Sequence, residues 1–206
     1  MTSPVVWYLN RATGIVALVL MTATVVLGVM VQRQQRLPGL PRFGVVALHR
    51  SVSLVSAAFL AVHVVLAVAD TYVSIGWLAV VVPFTSAWRP LPVALGTLAV
   101  DLIVLVVLTS LVRGRIPVRL WRVVHWTSYL LWPLAFVHGI SAGTDLGGGW
   151  LLAVVLGCAA AATWCSIAAL GARRATPPPA ERAAAALTAA SDALVTGTPV
   201  GVFRNG

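Results

Sequence analysis

Residues 44–69 read GVVALHRSVSLVSAAFLAVHVVLAVA, an apolar run with one histidine near each end, His49 and His63. It exceeds the ~20 helical residues needed to cross a hydrocarbon core. An imidazole is costly in hydrocarbon unless a partner holds it, so two in one span ask for a reason. His49 and His63 are 14 residues apart. That spacing is roughly 21 Å along a helix and about 40° short of four full turns, which puts both rings on one face.

The chain's other two histidines repeat the arrangement. His125 and His138 lie in a second apolar run, residues 117–140, and are 13 residues apart. Thirteen residues leave two side chains about 140° from eclipse on an ideal helix. Pro133 lies between them and removes the backbone donor to the Tyr129 carbonyl. Such a defect kinks or re-winds a span, and it is expected to re-aim His138 inward.

Working outward, the composition fixes the solvent. With 60% hydrophobic and 9% charged residues, the 206-residue chain reads as an all-α, polytopic membrane helix bundle and not as a soluble domain. Its mean hydropathy of +0.97 agrees. Five runs are long enough to span, at about 12–31, 44–69, 92–112, 117–140 and 150–170. A shorter run, residues 72–84, carries Gly76 and Pro83 and reads as a re-entrant or surface segment; there are six spans if it also crosses.

All 14 basic residues are arginine. Under this assignment only Arg11 and Arg89 fall on one side, and the rest cluster around the first and third connections and the C-terminal tail. The positive-inside rule then puts the N-terminus outside and the C-terminus in the cytoplasm of a multi-pass protein of the cell membrane. The net charge of +9 is therefore a topology signal with some affinity for anionic membrane lipid, and it does not indicate nucleic-acid binding.

The first apolar run is full length and lacks a basic n-region, so it reads as a retained span. Residues 1–171 form the expected bundle and 172–206 a largely disordered cytoplasmic tail with one marginal alanine-rich helix. No Gly-x-Gly-x-x-Gly phosphate loop occurs. Cys158 and Cys165 lie seven apart on the last span, roughly 10 Å along a helix and too far for a mutual disulfide, so they read as buried thiols.

Spans two and four both run from inside to outside, so matching depths pairs His49 with His125 near the cytoplasm and His63 with His138 near the outer face. Zinc or copper fits poorly. The two tiers are too far apart to share an ion, and no cysteine or carboxylate lies within a helical turn of any histidine. A porphyrin brings four equatorial nitrogens of its own, so two imidazoles per iron suffice. Two haems fit, one per leaflet; the plainer alternative is that the rings hydrogen-bond between helices or face a cavity.

Leu48-His49-Arg50 to His63, and Trp121-Arg122-Val123-Val124-His125 to His138-Gly139, resemble the ferric reductase-like transmembrane domain. That superfamily includes ferric reductases, the membrane part of NADPH oxidases and the haem-binding subunit of a periplasmic methionine sulfoxide reductase system. The 14 and 13 spacings match the NADPH oxidase pattern. Thr109-Ser110 and Gly143-Thr144-Asp145 are similar to small bacterial members, and the resemblance covers about residues 5–171. It implies two b-type haems passing electrons from the cytoplasm to the outer face. The flavin and nicotinamide domains of larger members are not seen, which implies a separate donor, either a flavoprotein or a membrane quinol.

Other residues carry expectations of their own. Arg50, Arg119 and Arg122 are candidate partners for inner-haem propionates, because guanidinium grips a carboxylate through two bonds; otherwise they are positive-inside residues. Arg11 enters span one near the outer surface and is expected either to contact an outer-haem propionate or acceptor or to snorkel to headgroups. Asp70 and Asp145 each lie seven residues beyond an outer histidine. They would form a docking site for a cationic ferric complex, or else be solvated loop carboxylates. Asp101 sits mid-span, suited to proton balance or haem tuning, or to a hydrogen bond with a neighbouring hydroxyl. Trp132, Phe59 and Phe136 lie between the two haem depths.

The function expected is that of an oxidoreductase subunit of ferric reductase type. The alternatives are a haem subunit feeding an extracytoplasmic reductase such as methionine sulfoxide reductase, a quinol-oxidising cytochrome b and, from another class, a non-redox metal or haem transporter.

Overall fold

The computed structural model describes residues 4–70, 73, 75–143, 149–175 and 179–196, and apart from one isolated bridge between Leu37 and Leu40 every regular element in them is a helix. The chain divides into two compact units, 1–166 and 167–206. The first unit holds α1 (Pro4–Gln32), α2 (Arg42–Ala69), the short α3 (Trp77–Val81), α4 (Pro90–Leu111), a 3₁₀ turn (Arg113–Arg115), α5 (Val118–Trp126) and α6 (Ser128–Ala142). α7 (Trp150–Ala175) begins there and ends in the second unit, where the alanine-rich stretch forms α8 (Pro179–Thr196).

Prolines mark where the helices start. Pro4 and Pro90 open α1 and α4, where a missing N–H costs nothing, and Pro41 and Pro117 stand just before α2 and α5 in non-helical conformation. Four helices are long and apolar enough to cross a membrane: Val5–Gln32, Arg42–Ala69, Pro90–Leu111 and Trp150–Ala168. The protein is a membrane protein on this ground. α3 has five residues, far short of a span, and packs on α4, where Thr97 Oγ1 donates to the Ala79 carbonyl at 2.6 Å.

The fourth expected span departs from the sequence reading. It is broken at Thr127 into α5 and α6, so neither piece alone is span length. The break comes from two adjacent hydroxyls. Thr127 Oγ1 donates to the Val124 carbonyl at 2.7 Å and Ser128 Oγ to the His125 carbonyl at 2.6 Å, while the Thr127 and Leu130 N–H groups close i→i−3 bonds. Side-chain donors that compete for the ladder's carbonyls loosen it. α6, by contrast, runs unbroken through Pro133. The re-aiming expected of Pro133 is thus accompanied by a break six residues earlier.

α1 pairs with α2 and α4 with α6, and α1 also meets α6. The buried positions are mostly small: Ala17, Thr22, Ser56, Ala94, Thr97 and Ala99. Small residues let backbones approach in a solvent where burying a large side chain brings little gain. Larger apolar side chains such as Phe43, Val65 and Leu108 are exposed, as a lipid-facing surface requires. Trp132 Nε1 donates to Thr22 Oγ1 at 2.9 Å and ties α6 to α1; Arg89 donates to the Ser141 carbonyl at 2.8 Å and ties the start of α4 to the end of α6.

Candidate functional site

α2 carries both His49 and His63, while His125 lies on α5 and His138 on α6. The fold brings the rings together in two tiers. His49 and His125 have ring centroids 6.4 Å apart with planes at 76°, and His63 and His138 are 6.3 Å apart at 78°. A metal–nitrogen bond of about 2 Å, plus roughly 1 Å from ring nitrogen to ring centre, counted from both sides, calls for about 6 Å between centroids. Both tiers meet that requirement. Direct hydrogen bonding between the imidazoles does not, since it needs ring nitrogens at about 3 Å.

Three of the four rings are oriented by a backbone carbonyl. His63 Nδ1 lies 2.9 Å from the Asn10 oxygen, His138 Nδ1 2.8 Å from that of Pro92, and His49 Nδ1 3.1 Å from that of Thr24. A carbonyl only accepts, so Nδ1 carries the proton and Nε2 keeps its lone pair for a metal. His125 differs. Its Nδ1 is buried without a hydrogen-bond partner among the described residues, and its ring stacks on Trp121 at 4.8 Å and 20°. Arg113 lies over the other ring system of this stack, 4.1 Å from the Trp121 centre.

Glycines stand beside the oriented rings. A Cβ on Gly14 would come within 2.9 Å of His63, on Gly96 within 2.8 Å of His138, and on Gly28 within 3.3 Å of His49. The spacing of Gly14 and Gly28 on α1 is 14, the same as that of the histidines on α2. That coincidence was visible in the sequence and is the signal that would have found them.

A cavity of about 680 Å³ opens between the outer rings, walled by His63, His138, Arg11, Asp70, Trp88 and Phe136 among others. Its size suits a cofactor. Arg11 lines it and also sits over the Trp7 ring at 4.8 Å. Asp70 is only 2% exposed, so it is a wall residue of this cavity and not a solvated loop carboxylate. Asp145 lies outside the described residues. Arg50, which follows His49 in sequence, and Arg119 and Arg122, which precede His125 on α5, are exposed, and Asp101 is exposed on α4. Trp132 stacks on Phe136 at 5.0 Å, whereas Phe59 is exposed. Cys158 is buried on α7 and Cys165 half-buried, both as free thiols.

Among the described residues no three His, Cys, Asp or Glu side chains gather into a metal-holding group. Each tier therefore offers two protein donors, which suits a metal that arrives with its own equatorial ligands and does not suit a bare tetrahedral ion. Residues 13–136, more than half of the chain, match the family described as ferric reductase like transmembrane component, a stretch that includes His49, His63 and His125. No curated protein and no solved structure matches the chain. Apolar spans, tiered imidazoles and this match agree: the chain belongs to the ferric reductase-like transmembrane component family, whose membership supports a redox function across a membrane.

Proposed function

We propose that the protein carries electrons across the cell membrane through two b-type haems, His49 and His125 holding the inner one and His63 and His138 the outer. The observation that carries this reading is the pair of ring separations, 6.4 and 6.3 Å, repeated at positions 14 residues apart on α2. When bound, each haem supplies a one-electron Fe(III)/Fe(II) couple. Everything else is done by the chain. Two imidazoles per tier would hold each haem iron from the protein, and a haem so held would supply electron transfer in preference to binding of substrate. α2 sets the tier separation at roughly 21 Å.

α5 and α6 act together as one broken span, because their histidines meet two residues of the single span α2. Counting them so gives five spans, with the N-terminus outside and the C-terminus cytoplasmic by arginine placement. Arg50, Arg119 and Arg122 would neutralise inner propionates and Arg11 an outer one. The donor is a separate flavoprotein or membrane quinol. The acceptor is a ferric complex or an extracytoplasmic redox partner, met at the outer cavity beside Asp70, with Asp145 following His138 in sequence.

A reduced-minus-oxidised spectrum with haem counted per chain tests the reading. Two b-type haems are expected in the natural sequence and one in either His63→Ala or His125→Ala. A protein purified with no reducible Soret and alpha bands would sink it and favour a transporter. Ferric chelate reduction by the purified, chemically reduced chain separates a ferric acceptor from a protein partner.

A further inference from the structure

Each oriented imidazole meets the same local device. The carbonyls that accept the Nδ1 protons belong to Asn10, Thr24 and Pro92, and the glycines that clear the rings are Gly14, Gly28 and Gly96, always four residues further on. The cause is helix geometry. Cα–Cβ bonds tilt toward the N-terminus, so the side chain at i+4 overlies the carbonyl of residue i. With glycine at i+4, the second lone pair of that carbonyl stays open to a ring from a neighbouring helix.

On α4 the positions fourteen beyond Pro92 and Gly96 are Val106 and Ser110, so a side chain with a Cβ stands where the cradles have glycine. Ser110 Oγ is itself engaged, accepting from Trp121 Nε1 at 3.4 Å. No glycine stands where a fourth cradle would repeat, and Trp121 stacks on His125 instead.

Resting on the proposed haem function, we infer that Gly14, Gly28 and Gly96 are positioning residues that keep these carbonyls open, and that the missing cradle at His125 gives the inner haem the higher reduction potential. Donation from Nδ1–H to a carbonyl makes imidazole a stronger donor, and a stronger donor stabilises Fe(III) over Fe(II). The outer tier has two such bonds, at 2.9 and 2.8 Å; the inner tier has one, at 3.1 Å. The exposed Arg113, which lies over the Trp121 ring that stacks on His125, acts in the same direction by disfavouring the more positive ferric state.

An optical redox titration of the purified full-length holoprotein tests this. Two components of equal amplitude are expected, with the higher one missing in His125→Ala. Gly96→Ala should raise the lower component toward the higher, since its Cβ would push His138 off the Pro92 carbonyl. Gly28→Ala, with the milder 3.3 Å approach, should raise only the higher component, and it serves if Gly96→Ala fails to hold haem. Gly157→Ala, whose Cβ would meet nothing within 4 Å, should move neither. A single potential in the natural sequence, loss of the lower component in His125→Ala, or an equal shift in Gly157→Ala would overturn the inference. A chain without b-type bands would instead defeat the haem function itself.

Discussion

The outer tier is built from continuous helices and the inner tier is not. His63 and His138 each lie within a helix, each donates its Nδ1–H in a hydrogen bond to a carbonyl of a third or fourth helix, and both face a cavity of about 680 Å³. His125 lies one residue from the end of α5, unanchored at Nδ1, and rests against an indole. Two tiers with nearly equal ring separations are therefore held by different means. Equal spacing says what each tier can grip, and the surroundings decide how firmly.

The largest effect should separate the tiers outright. Alanine at His63 or His138 should remove one of two haems and leave the inner spectrum, while alanine at His49 should remove the other. Haem per chain, measured by pyridine haemochrome, would contradict the tiered arrangement if any single replacement emptied both sites and left the fold intact.

A smaller effect should follow from mending the break between α5 and α6. Replacing Thr127 and Ser128 together with alanine removes both competing hydroxyl bonds, restores the regular ladder and turns His138 relative to His125. Outer-haem occupancy should fall by roughly the 10- to 100-fold in affinity that a disturbed ligand orientation costs, with the inner haem retained. Unchanged occupancy of both would show that Pro133 alone sets the register.

Trp121→Ala should act on the inner tier alone. Losing the stack costs about 1 kcal/mol, or roughly a five-fold faster loss of inner haem to a competing apoprotein, and Trp121→Phe should recover most of it. The mildest change sharpens the contrast from the other side. Trp132→Phe leaves an aromatic ring against Phe136 and deletes only the donor to Thr22, so it should lower thermal stability by about 1 kcal/mol without altering either haem band.

Much of the site was legible before folding. Histidine spacing, with spans two and four taken as parallel, matched His49 with His125 and His63 with His138, because helical rise converts residue number into distance along a span. Gly14 and Gly28 are not conspicuous in sequence, although their 14-residue interval copies that of His49 and His63. A glycine in an apolar helix has many ordinary uses, and only a ring lying against it tells which one applies. The fourth span reads in sequence as one helix with its defect at Pro133, and the structure interrupts it at Thr127. Proline is a loud signal in sequence, whereas Thr127 and Ser128 break a ladder only when their hydroxyls turn back onto Val124 and His125. Asp70 likewise reads as a loop acid until the cavity wall closes around it.

By itself the sequence determined the solvent, most of the helices and the interval between the two histidines of each run, since apolar length and residue spacing are properties of position along the chain. Only the tertiary structure decided which carbonyl three of the imidazoles meet, that Gly14, Gly28 and Gly96 clear the way, and that His125 Nδ1 has no such partner among the described residues. Those facts depend on the rotation and approach of one helix against another. Small-residue packing fixes them, and the pattern of any single helix does not contain them.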